Sequence, residues 1–114
     1  MKKIEITSYK LMRVLVLFDL PVETKHEIRQ YTHFRKFLLD DGFIMIQYSI
    51  YMRFCRNTVD ADKHIARISQ LSPQKGNIRI LCVTEKQYEN MILIIGEKSP
   101  TELMVNEQMT MVIE

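Results

Sequence analysis

Hydrophobic and polar positions run along this chain in blocks whose period changes, and the changes mark the predicted elements. Met12-Arg13-Val14-Leu15-Val16-Leu17-Phe18 is a near-continuous apolar run, closed by Asp19 and then Pro21. Such a run predicts a strand buried on both faces, which Pro21 ends because proline has no N–H for a sheet ladder. Asp19 is thereby placed at the carboxyl end of a central strand. Thr24-Lys25-His26-Glu27 follows with the capping-box pattern, in which the Thr hydroxyl and the Glu carboxylate satisfy backbone donors at a helix start. The helix predicted over Thr24 to Asp40 closes at Asp41-Gly42, with Gly42 free to take the left-handed conformation of a helix C-terminus. At about 100° per residue, Tyr31, Phe34 and Leu38 cluster on one side, flanked by Ile28 and Phe37, while Lys25, Arg29 and Lys36 lie within about 40° of one another opposite. Arg35 sits nearer the apolar border, where its stem packs and its guanidinium reaches out.

Phe43 to Cys55 is rich in β-formers, and its thirteen residues are long for one strand in a domain this small. Two strands are predicted, joined near Gln47 to Ser49, with Ile50, Met52 and Phe54 on one face of the second and Tyr51, Arg53 and Cys55 on the other. Arg56-Asn57 turn the chain into a second amphipathic helix, about Val59 to Leu71, with Ile65, Ile68 and Leu71 inward and Ala61 near them. Pro73, Gly76 and Asn77 mark a loop, and Ile78 to Val83 reads as the next buried strand. Thr84 then caps one helical turn, Met91 to Gly96 reads as another apolar strand, residues 97–108 as a polar linker, and Met109 to Ile113 as a short strand that needs a partner edge. Residues 1–10 are a short lead-in, an extra edge strand or a frayed end.

The order strand, helix, strand, strand, helix, strand predicts an α+β, ferredoxin-like βαββαβ sandwich over residues 1–96, with extra C-terminal strands in an acidic tail over 97–114. Two helices cover one sheet face. The other face is too apolar for water, and dimerisation sheet against sheet, with late strands joining the partner's edge, would cover it.

Composition changes this picture in one respect. A hydrophobic content of 46% and a charged content of 26% are those of a soluble globular domain, and neither a membrane span nor a signal peptide is read, so a cytoplasmic location is expected. Cys55 and Cys82 lack zinc spacing and are expected to be reduced, buried small hydrophobes. The net charge of +2 conceals an asymmetry: residues 1–80 hold 14 Lys/Arg against 8 Asp/Glu, whereas residues 81–114 hold 2 against 6. A basic body suits a polyanion such as nucleic acid, and an acidic tail suits a basic protein partner.

Four motifs in register then bring a family into view. Phe18-Asp19-Leu20-Pro21, Tyr31-Thr32-His33-Phe34-Arg35-Lys36-Phe37, the Gly42 to Tyr51 stretch and the Gly76 to Tyr88 stretch resemble the small CRISPR-associated spacer-acquisition protein Cas2, especially that of type II-A systems, over about residues 10–96. The resemblance implies a ferredoxin-like homodimer that lies along prespacer duplex DNA as scaffold and ruler between two dimers of the Cas1 integrase, with the acidic tail as a docking element. The family also bears the name of a metal-dependent endonuclease, in which first-strand aspartates of two protomers face each other. That residue here is Asp19, with Mg²⁺ as the implied metal. Some nuclease-active members carry Tyr-Asp where this chain has Phe18-Asp19, and an Arg shortly before the Gln where it has only Phe43, Ile44, Met45 and Ile46. Both departures remove polar chemistry from that site.

Read as chemistry, one Asp per chain cannot form a Mg²⁺ site alone, whereas two from symmetry mates could hold an ion that neutralises charge on a phosphoryl group. A turn acid accepting backbone N–H groups ahead of the helix is the other reading of Asp19. His26, His33 and His64 show no metal-ligand spacing and read as surface or helix-flank residues. The candidate duplex contacts are Lys25, Arg29, Arg35, Lys36, Arg53, Arg56 and Arg79, since phosphate contacts give the sequence-independent affinity a scaffold needs. Tyr48, Tyr51 and Tyr88 are candidates either for base stacking or for core packing. Three function classes follow: a non-catalytic scaffold, a nuclease built on paired Asp19 carboxylates, and a ferredoxin-like regulatory or binding module outside CRISPR systems.

Overall fold

The computed structural model describes residues 10–113, with side chains described as far as residue 108. The apolar run forms β1 (Met12–Asp19), and the capping box opens α1 (Lys25–Asp40), where Thr24 accepts from the Glu27 N–H and Glu27 reaches back. Gly42, at φ +92°, turns the chain out of α1. The next apolar block divides where its length required, into β2 (Ile44–Gln47) and β3 (Ile50–Cys55), with Tyr48 and Ser49 at the tip. Then come α2 (Thr58–Leu71), capped by Asn57, β4 (Asn77–Thr84), and the single turn α3 (Glu85–Glu89), for which Thr84 and Gln87 form a second capping box.

The four strands form one antiparallel sheet in the order β2-β3-β1-β4, the ferredoxin-like arrangement. Leu17 of β1 stands between Ile50 of β3 and Arg79 of β4, and Leu15 between Met52 and Leu81. Because side chains alternate across a strand, Val14, Val16 and Phe18 point to one face and Leu15, Leu17 and Asp19 to the other. The first face is the core: those three residues pack with Phe34 and Leu38 of α1, Ala61 and Ile68 of α2, and Tyr51 and Cys55 of β3. The division of β3 into two faces holds, with Met52 on the side away from the helices and also buried. Ile28 and Leu71 are exposed instead of inward, since each lies at a helix end.

Two expectations at the C-terminus fail. Met91 to Gly96 forms no strand, and the segment expected to be a polar linker and a terminal strand is instead one helix, α4 (Pro100–Ile113). A strand needs an edge to bond to, whereas a helix satisfies its backbone within itself. In this single chain the extra C-terminal strands therefore do not form. Helix α4 lies by β2 and β3, with Val105 and Gln108 near Ile44, Met52 and Phe54. Between the second sheet face and the C-terminal segment is a cleft of about 440 Å³, lined by Leu15, Leu17, Ile50, Leu81, Tyr88 and Met91 among others. Residues 1–9 of the lead-in fall outside the described residues. No described helix is long and apolar enough to cross a membrane.

Candidate functional site

Asp19 is the last residue of β1, paired with Asn77 of β4, and its side chain shares the second sheet face with Leu15 and Leu17. The loop before β4 closes tightly on its backbone. A Cβ on Gly76, which sits at φ +103°, would lie 2.6 Å from the Asp19 carbonyl oxygen, so only glycine fits there. The Asp19 carboxylate is exposed, and among the described residues it has no hydrogen-bond or ion-pair partner. The backbone donors ahead of α1 are taken elsewhere: the Glu23 and Thr24 N–H groups donate to Glu27 Oε1 at 3.1 and 3.0 Å. Asp19 does not do that work. No group of three or more His, Cys, Asp or Glu that could hold a metal occurs among the described residues. One protomer thus offers Mg²⁺ a single carboxylate, and a site would require a second copy.

The seven candidate phosphate contacts fall into four places. Lys25, Arg29, Arg35 and Lys36 are all exposed on α1; Lys36 pairs with Asp40 at 2.9 Å, an exposed contact that leaves the ammonium open to other anions. Arg56 is exposed at the turn into α2. Arg79 is exposed on β4 opposite Leu17, on the second sheet face and away from α1. Arg53 is half-buried: its Nε donates to the Asp41 carbonyl and its Nη1 to the Phe54 carbonyl, both at 2.7 Å. That guanidinium closes the C-terminal end of α1 and packs over Gly42.

The model of the family described as CRISPR associated protein Cas2 matches residues 12–91. The chain belongs to this family. It is 48% identical over 87 residues to a CRISPR-associated endoribonuclease Cas2 of Ligilactobacillus salivarius, covering 76% of this chain and 86% of that protein. A protein of the same description from Acidovorax ebreus is 51% identical over 85 residues, covering 75% and 83%. A crystal structure of a Cas2 protein superposes with a TM-score of 0.55 at 18% identity, over 79% of this chain and 92% of that one, which shows the common fold.

Two polar clusters of this Cas2-family chain escaped the sequence reading. Arg13, inside the apolar run, is 1% exposed; its Nε and Nη2 donate to the two carboxylate oxygens of Glu85, both at 2.7 Å, and its guanidinium lies 3.9 Å from the Tyr88 ring centre. Tyr88 in turn donates to Glu102, and burial first, then that carboxylate, pushes the phenol well above its usual range. This chain of contacts ties β1 to α3 and α3 to α4. The second cluster corrects the reading of the histidines. His26 and His33 are exposed, but His64 is buried, with Nδ1 2.6 Å from Asp41 Oδ2 and Nε2 3.4 Å from Asp60 Oδ1, and Arg67 donates to Asp41 Oδ1 at 2.6 Å. The only sequence signal for the first cluster was an Arg in a buried strand, which demands a carboxylate. Its partner stands 72 residues away, and no local pattern names it.

Proposed function

We propose that this chain is a scaffold subunit of the CRISPR adaptation complex. In this reading it is a homodimer that binds prespacer duplex DNA without sequence specificity and bridges two dimers of the Cas1 integrase. The observation that carries the reading is the solvent-facing basic side of α1, where Lys25, Arg29, Arg35 and Lys36 stand free of buried partners. Rows of cations without a recognition helix suit the phosphate backbone, and affinity then comes from counterion release. The second sheet face, apolar and incompletely covered, suits the homodimer. DNA affinity should fall steeply with salt, and replacing Lys25, Arg29 and Lys36 together by Ala should weaken binding equally for unrelated sequences while making the log–log salt slope shallower by roughly 3. Binding that ignores salt would exclude the reading.

A second reading is a Mg²⁺-dependent endonuclease, favoured by the name its curated relatives carry and by the unpartnered carboxylate of Asp19 on the sheet face where two protomers would meet. Mg²⁺ held between two such carboxylates would offset charge on a scissile phosphate. Loss of Mg²⁺-dependent cleavage in Asp19→Asn would establish this activity. Spacer acquisition that survives the same change would leave the scaffold role independent of it.

A further inference from the structure

We propose that two copies of this chain are fastened by reciprocal ion pairs, in which Asp19 of each protomer meets Arg79 of the other across the second sheet face. The inference rests on the homodimer reading above and deepens it by naming the groups that pair. Side-chain alternation places both charges on that face. On β1 it takes Leu15, Leu17 and Asp19, and the residues opposite them on β4 are Leu81, Arg79 and Asn77. Asp19 and Arg79 are therefore diagonal neighbours at one end of the sheet.

The face changes along its length. Towards Arg13 it is closed, with Arg13, Met52, Glu85 and Tyr88 all buried. Towards Asp19 it is open: Leu17, Asp19, Asn77, Arg79 and Leu81 are all exposed. The two arginines differ in the same way. Arg13 takes both carboxylate oxygens of Glu85 from its own chain, whereas Arg79 and Asp19 have neither a hydrogen bond nor an ion pair among the described residues. The remaining charged groups that line the cleft, Glu89, Glu97, Lys98 and Glu102, come from α3 and the chain beyond it, not from the sheet. Aromatic anchoring, common in interfaces, is not what this end offers: Tyr51 and Tyr88 are buried, and Tyr48, 80% exposed, stands at the tip between β2 and β3.

A two-fold contact presents one patch to its own copy, so a charge on it is met only if the patch also carries the opposite charge. This end carries both, one carboxylate and one guanidinium, beside two exposed leucines that would exclude water from the pairs. With Asp19 alone, a copy would bring carboxylate towards carboxylate, which repels. Arg79 offsets that repulsion, and its fork of donors matches a carboxylate on a stem long enough to cross between sheets. Duplex DNA lying on α1 would not use it, because α1 packs on the other side of the sheet. The two diagonal pairs also fix one register, since sliding either sheet would break both.

The test follows the full chain by sedimentation over a range of concentrations. Asp19→Arg and Arg79→Asp, each alone, set like charges against each other and should raise the dimer dissociation constant at least about 30-fold. The double variant, Asp19→Arg with Arg79→Asp, restores both cross pairs with their signs exchanged and should return to within about tenfold of wild type. That recovery would also show that the single variants lost an interaction and not the fold. Single variants that dimerise as tightly as wild type would overturn the proposal. A double variant as weak as the single ones would overturn it too, because Asp19 would then face its own copy. So would a wild-type dimer that EDTA dissociates and Arg79→Ala leaves intact, which would assign the countercharge to a divalent cation. A wild-type chain that stays monomeric throughout would remove the homodimer reading itself, and this proposal with it.

Discussion

Arg13 makes the costliest polar commitment in the core, a guanidinium in a central strand whose charge is met by a carboxylate and an aromatic face. Truncating one member of such a buried pair leaves the other charge uncompensated, which costs more than the pair itself contributes. Arg13→Ala should therefore destabilise the fold by about 3–5 kcal/mol in urea unfolding, and Arg13→Met combined with Glu85→Leu should recover most of that loss. A double variant no more stable than the single one would refute this account. At the same scale, burial pushes the Cys55 thiol up to about 11, with Asp60 adding to the effect, so it stays a neutral small hydrophobe, as its apolar surroundings in the sequence implied. Arg53 and His64 were not legible in this way, because their partners at Asp41 are supplied by a helix end that only the folded chain brings beside them.

At the scale of elements, α1 begins with a reciprocal capping box and α2 with the Asn57 cap beside Asp60, and these make the start of each helix sensitive to acid. The Thr24 N–H bond holds the Glu27 carboxyl below its ordinary value of 4.5. For Asp60, burial pulls the other way, but the Arg56 N–H and Lys63 prevail and hold it below 3.8. A carboxylate with a depressed folded value contributes stability that is fully present above the unfolded value and is lost as pH falls through the folded one. Hydrogen-exchange protection of the first-turn amides of α1 and α2 should therefore weaken severalfold below about pH 4, and Glu27→Gln with Asp60→Asn should remove most of that pH dependence. A profile identical in the double variant would show that these carboxylates play no part. The capping box at Thr24 and the cap at Thr84, like the bounds of β1 and a division of the Phe43 to Cys55 run near Gln47 to Ser49, were legible because each is set by residues within three or four positions of one another.

At the scale of the molecule, the proposed homodimer places the second sheet face where protomers meet. Leu17 and Leu81 are 37% and 54% exposed there, neighbours of Asp19 and Arg79. Leu81→Glu should raise the dimer dissociation constant at least about tenfold in sedimentation experiments while changing protomer stability by no more than about 0.5 kcal/mol, since the side chain is already in water. A dimer of unchanged affinity would rule out the sheet-to-sheet arrangement.

Taken alone, the sequence determined the order of elements through Glu89, the strand and helix periods, the caps at Thr24 and Thr84 and the ferredoxin-like class, because local hydrogen bonding and side-chain periodicity dictate these. It also placed Asp19 at a strand end and a basic face on the first helix. Tertiary structure alone decided which polar groups are buried together, which of three tyrosines meets water, and that the C-terminal segment closes its own hydrogen bonds as a helix. These outcomes depend on which distant surfaces come into contact, and no period within the chain encodes that.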